Sequence, residues 1–202
     1  MKKILIVLLS VLFVGTNLMV AQPGNAGKIL DNTARVLNNK GVKASFSITG
    51  SLSTNGSIQL KGNKFILATG KTNTWFDGRT QWSYVKSNQE VNVSTPTTKQ
   101  IQNLNPYTYI NCYRTEFNSK YNGISGGNYS VMLLPKNSRM GIRNVTLFIS
   151  KNYQPRKIVI TQSNGSRQTV IIKSFQSGLN YNDAMFKFNQ KKYPKAEIID
   201  LR

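Results

Sequence analysis

The chain contains no histidine. That removes the side chain that most often serves as a general base or metal ligand near neutral pH. Acidic groups are almost as scarce. The seven carboxylates are Asp31, Asp77, Glu90, Glu116, Asp183, Glu197 and Asp200, scattered as singletons along 202 residues. No spacing suggests a paired acid and base, a metal cluster, a nucleophile elbow or a phosphate-cradling loop. Asp77 and Glu90 can meet across neighbouring strands, but Asp77-Gly78 is ordinary turn chemistry. The sequence therefore points to a binding protein and not an enzyme, with no catalytic residue, no metal ligand and no cofactor.

Cysteine is also nearly absent. Cys112 alone cannot form an internal disulfide, and it lies too far from the start to carry a lipid as an N-terminal residue. It reads as a buried spectator. An exported chain without disulfides suits a cell envelope better than a small stapled secreted fold. Long apolar runs are missing too, apart from Ile4 to Val14, which follows Lys2 and Lys3 and precedes the small residue Ala21. A charged start, a run of that length and a small residue beyond it describe a secretory signal peptide. The run is short for a bilayer span. Cleavage is expected after Ala21, with Ala26 as second choice, giving a signal peptide over 1–21 and a single domain over 22–202.

What the chain has in excess is positive charge, +20 in all from 27 basic and 7 acidic residues. Removal of Lys2 and Lys3 with the leader leaves +18. Such an imbalance attracts polyanions, whether nucleic acid, anionic lipid or acidic polysaccharide. The basic residues form no block of five or six, so a generally solvated basic surface and a localised anion site are equally good readings.

After the leader, residues 27–39 place Ile29, Leu30, Ala34, Val36 and Leu37 on one helical face before Asn-Asn-Lys-Gly. From Val42 the chain reads as successive strands. Val42, Ala44, Phe46 and Ile48 alternate with polar residues. A two-residue turn at Gly62-Asn63 pairs Leu60 with Phe65 and Ile58 with Leu67, all on one face. A second such turn at Asp77-Gly78 pairs Trp75 with Thr80, so that Trp75, Trp82 and Tyr84 share a face. The loop from Lys86 to Gln89 then sets Tyr84 opposite Val91 and Trp82 opposite Val93. Three consecutive strands offer a continuous aromatic and aliphatic face, expected to converge with Ile58, Leu60, Phe65 and Leu67 on one interior. Residues 97–111 read as a weak helix broken at Asn105-Pro106, and 121–130, rich in Gly, Asn and Ser, as a flexible loop or lid. Strands resume over 129–134, 145–149, 157–161 and 167–172, and Phe186 and Phe188 alternate near the end.

About ten strands and two or three helices imply a mainly β (α+β) fold. We expect a strongly curved antiparallel sheet, or unclosed β-barrel, with helices covering its concave side. A sheet of that curvature closes around a cavity, and the helices act as a removable cover.

The stretch "FDGRTQWSYVKSNQEVNVS" carries Asp77, Gly78, Trp82, Tyr84, Glu90 and Val91 in an arrangement that resembles the periplasmic outer-membrane lipoprotein carrier family, LolA. "GSIQLKGNKFIL" resembles that family's preceding strand pair, and "YPKAEIIDLR" its closing segment. The resemblance implies an unclosed barrel with a helical lid over an apolar cavity. It implies a periplasmic, monomeric carrier that takes acylated lipoproteins from an inner-membrane lipoprotein-releasing transporter to an outer-membrane acceptor. On this reading the acyl cavity is lined by Phe46, Ile58, Leu60, Phe65, Leu67, Trp75, Trp82, Tyr84, Val91 and Val93. Arg35 and Arg79 are the candidates for the arginine that ties lid to strands. Gly62-Asn63 stands where the family often has a proline.

A competing reading makes the chain a secreted, non-enzymatic binder of nucleic acid or anionic glycan or lipid, with Lys61, Lys64 and Lys86 flanking exposed Trp75 and Trp82. The carrier reading expects no nucleic acid. The two are separated by the face the indoles take.

Overall fold

The computed structural model describes residues 23–50 and 53–202. The expected leader, 1–21, lies outside them. No helix of the described residues is long and apolar enough to cross a membrane.

Helix α1 (Pro23–Asn38) buries Ala26, Ile29, Leu30, Thr33 and Leu37, the three-and-four spacing of an amphipathic stripe. Thr33 is tolerated inside because its hydroxyl donates to the Ile29 carbonyl at 2.8 Å. A meander follows: β1 (Gly41–Gly50), β2 (Thr54–Lys61), β3 (Lys64–Thr69), β4 (Thr72–Phe76), β5 (Gln81–Val85) and β6 (Glu90–Ser94). Three helices come next, α2 (Thr98–Leu104), α3 (Thr108–Asn111) and α4 (Tyr113–Glu116). Thr97 starts α2 with a capping box, its hydroxyl accepting from the Gln100 amide while the Gln100 side chain accepts from the Thr97 amide. Pro106 ends it by forcing Asn105 into extended backbone.

The second meander is β7 (Phe117–Ser125), β8 (Asn128–Pro135), β9 (Ile142–Ile149), β10 (Pro155–Gln162) and β11 (Arg167–Leu179), with β12 (Glu197–Asp200) last. Pairing of β1 with β11 joins both halves into one sheet in the order β12-β6-β5-β4-β3-β2-β1-β11-β10-β9-β8-β7. The end strands β7 and β12 do not meet, so this is the expected curved, unclosed sheet, here with twelve strands. All neighbours are antiparallel except β12, which runs parallel to β6.

Residues 121–130 are not a loop. They form the end of β7, the Gly126-Gly127 turn and the start of β8. Both glycines have positive φ, so the composition serves a hairpin turn and not a lid. Nor do Phe186 and Phe188 belong to a strand, because Asp183–Phe186 is a 3-10 turn.

Register decides which residues meet. Leu60 pairs with Phe65 and Ile58 with Leu67, as the Gly62-Asn63 turn requires. The Gly70-Lys71 turn then pairs Leu67 with Thr74 and Ile66 with Trp75. Trp75 therefore points away from Leu67, and everything aligned with it follows: Trp82, Val93, Tyr84 and Val91. The expectation that these five share an interior with Ile58, Leu60, Phe65 and Leu67 is corrected here. A one-residue change of parity between β3 and β4 moves a whole set of side chains to the other face. The Asp77-Gly78 turn also differs, since Trp75 pairs with Trp82 and Phe76 with Gln81 across a four-residue loop. The Asp77 carboxylate holds that loop by accepting from the Arg79 and Thr80 amides at 3.1 and 2.8 Å.

The sheet thus has two cores. The larger lies on the concave face under α1 to α4. The smaller lies outside β4 to β6, where the C-terminal segment crosses the outer face. There Phe188 and Tyr193 pack on Trp75 with ring centroids 5.4 and 5.6 Å away, and Tyr193 lies 4.7 Å from Tyr84. Trp75, Val91, Val93 and Phe186 are buried apart from the main cluster.

Candidate functional site

A cavity of about 330 Å³ separates the concave face from its helical cover. Its wall is built from both halves of the sheet: Phe46, Ile58 and Leu67 from β1 to β3, and Ile160, Val170 and Ile172 from β10 and β11. The β1–β11 pairing sets Phe46 opposite Ile172 and Ile48 opposite Val170, which makes the wall continuous. The roof is Leu104 at the end of α2, then Pro106, Tyr107 and Tyr109. Exposed Ser53, Lys71 and Asn103 stand where the cavity reaches solvent, beside Gln162 and Gln168.

Phe46 lines this space because Gly56 faces it across the ladder. A Cβ at Gly56 would sit 2.7 Å from the Phe46 ring and 2.6 Å from the Ala68 carbonyl, so only glycine leaves the ring its place.

The cover is tied down by polar contacts within itself. Arg114 of α4 bridges to Asp31 of α1 at 2.6 Å, and the Tyr113 hydroxyl donates to the same carboxylate at 2.7 Å. Those hydrogen bonds, Tyr113 first and Arg114 second, hold the Asp31 carboxyl below its usual range. Burial, and then Asp31, push the Tyr113 phenol up to about 12. Cys112, where α3 meets α4, is half-buried, and burial raises its thiol to about 11, far from a reactive thiolate. Tyr107 in the roof differs. Its hydroxyl is buried without a hydrogen-bond partner among the described residues, and burial pushes its pKa strongly up.

Of the residues expected in an acyl cavity, Phe46, Ile58 and Leu67 lie on this wall. Leu60 and Phe65 share their face but sit in the core beyond it, Phe65 packed on Phe76 at 5.3 Å. Trp75, Trp82, Tyr84, Val91 and Val93 are on the opposite side of the sheet. Arg35 is exposed on α1 and donates to Asn32 of its own helix at 3.1 Å, and exposed Arg79 lies in the β4–β5 loop. Neither joins cover to strands. The pinning pair Asp31–Arg114 had no signal in the sequence, being two single charges 83 positions apart. The roof and the β10–β11 wall were equally hidden, because their neighbours lie in the other meander.

Chemically the site is an apolar slot with one charged residue among the described residues, Lys71, on its lining. Non-directional contact with hydrocarbon is what such a lining provides.

Comparison with known proteins agrees with this architecture. A solved structure of an uncharacterized conserved protein from Thermus thermophilus superposes with a TM-score of 0.62 at 14% identity, covering 87% of this chain and 99% of that one. A protein domain from Vibrio parahaemolyticus, proposed to sort outer-membrane lipoproteins, gives 0.52 at 9% identity over 86% and 100%. At such identities the likeness is one of fold alone. No curated protein is similar enough in sequence to count as a relative. The model of one family, described as outer membrane lipoprotein carrier protein LolA, matches residues 17–164. The chain belongs to the outer membrane lipoprotein carrier protein LolA family.

Proposed function

We propose that this protein is a non-enzymatic carrier whose cavity shields the acyl chains of lipoproteins in transit between the inner and outer membranes. Family membership supports a lipid-binding carrier role, and the apolar slot between concave sheet and helical cover is the observation that carries it. Each methylene exposed to water costs about 0.8 kcal/mol, so an acylated protein crosses an aqueous compartment only if its chains are covered. The roof is held by few polar ties and by α2 and α3, which are short, so the cover can open without dismantling the sheet. An inner-membrane transporter as donor and an outer-membrane acceptor complete the route. Export fits cleavage after Ala21, which leaves α1 whole, whereas cleavage after Ala26 would cut into its buried stripe. The indoles take the outer face, the side the rival reading as a polyanion binder expected, but Trp75 is 9% exposed beneath Phe188 and Tyr193, which leaves that reading only the half-buried Trp82.

The test is capture of a triacylated lipopeptide by the protein and by Leu104→Trp. The larger ring fills the slot from its roof, where there is room for it. Capture should fall by roughly tenfold or more, about 1.4 kcal/mol, with the melting temperature nearly unchanged. Equal capture by both proteins would count against the cavity as the site.

A further inference from the structure

Residues 117–182 contain nine Lys and Arg and no Asp or Glu. This acid-free stretch folds into β7 to β11 and their turns. Alternation sends Val131, Leu133, Val145, Leu147, Ile158 and Val170 to the concave core. The other side chains form rows across the outer face. In one row Ile171 pairs with Lys157 and Lys157 with Phe148; in the next Val159 pairs with Thr146 and Thr146 with Met132.

Between these rows lies a shallow groove of about 380 Å³, with Met132, Phe148 and Val159 in its floor and Arg143 and Arg167 at its rim. Lys157 sits 4.0 Å over the Phe148 ring. Ile171 and Leu134, at 41% and 40% exposure, extend the apolar surface. Among the described residues the ion pairs fall elsewhere, at Lys61, Lys64, Arg114 and Arg202. The same outer face is roofed by the C-terminal segment at β4 to β6, but at β8 to β11 its apolar residues are open to solvent.

We propose that the outer face of β8 to β11 is a docking surface for an anionic lipid bilayer. Charge complementarity selects the partner: unpaired cations standing around aliphatic side chains need phosphates and hydrocarbon together, and a bilayer interface supplies both. A nucleic acid supplies phosphates and flat bases. Its bases need free aromatic faces, and the Phe148 ring is already taken by Lys157. Docking here does not depend on what the cavity holds.

The experiment is co-sedimentation with vesicles of phosphatidylcholine, alone or mixed with phosphatidylglycerol, at low and moderate salt. Binding should require phosphatidylglycerol and weaken with salt. The triple variant Arg143→Gln, Lys157→Gln, Arg167→Gln should bind on the order of 100-fold less, from the usual contribution of each basic residue near an anionic surface. Lys187→Gln, Lys191→Gln, Lys192→Gln removes the same charge from the C-terminal segment and should cost about threefold or less, because screening confines such effects to roughly a Debye length. Ile171→Ser, at an exposed position, should weaken binding by about fivefold through lost apolar contact. Equal losses in the two triple variants, equal binding to neutral vesicles, or an unchanged Ile171→Ser would each overturn the proposal. So would a single-stranded oligonucleotide that displaces the vesicles through the same three cations.

Discussion

Replacing Trp75 by alanine separates the outer core from the cavity. The indole is 9% exposed and meets Phe188 and Tyr193 edge-on. Truncating a buried tryptophan costs about 3–5 kcal/mol. Phe188 and Tyr193 are only half-buried and can settle into the space, which places the expected loss near the lower end, about 3 kcal/mol. For a chain of this size each kcal/mol lowers the midpoint by about 2–4 °C, so thermal unfolding should move down by about 6–12 °C. Far-UV circular dichroism reads the midpoint, and urea titration reads the free energy independently. Lipopeptide capture, measured well below both midpoints, should stay within a factor of about two, roughly 0.4 kcal/mol. A folded Trp75→Ala variant with an unchanged midpoint and lost capture would refute the assignment of this side chain to the outer core.

Other perturbations act on the concave side and its ties. Gly56→Ala should destabilise by about 1–3 kcal/mol by overpacking and should also reduce lipopeptide capture, since the new methyl meets both Phe46 and a backbone carbonyl; urea titration with a binding isotherm checks both. Tyr107→Phe removes a hydroxyl buried without a protein partner and should raise stability by about 1 kcal/mol, read as a higher thermal midpoint. Lys61 and then Lys64 hold the Asp183 carboxyl at about 2, below its ordinary 3.8. A depressed carboxyl stabilises fully above its unfolded pKa, so the tie from the C-terminal segment to the β2–β3 hairpin should be lost as pH falls from about 4 toward 2. Tryptophan fluorescence should report that release in the native protein and lack this acid-dependent step in Asp183→Asn.

The fold class was legible because alternation and turn signals are local. Gly62-Asn63 fixes the β2–β3 register, and the Lys86–Gln89 loop fixes Tyr84 against Val91. What separated the indoles from the cavity was one parity step at Gly70-Lys71, a turn whose register the flanking alternation does not reveal. Trp75 lies beside Phe76, and either could have faced inward; the aromatic-rich C-terminal segment settles it by providing the outer face with its own cover. The cavity wall was half legible. Phe46, Ile58 and Leu67 follow from strands near one another in sequence. Ile160, Val170 and Ile172 join them only through β1–β11 pairing across more than a hundred residues. The Asn105-Pro106 break placed the helix end, but nothing local said that Leu104, Tyr107 and Tyr109 would roof a slot. Composition showed the charge excess and hid its location, because cations spaced along strands gather on one face only after the sheet forms.

The most direct measurement is photo-crosslinking from a lipopeptide bearing a diazirine in its acyl chain, with the labelled residues identified by mass spectrometry. The cavity reading predicts labels on Phe46, Ile58, Leu67, Leu104, Val170 and Ile172, with none on Trp82 or Tyr84. Labels concentrated on Trp82, Tyr84 and the C-terminal segment, with the concave wall clean, would contradict it.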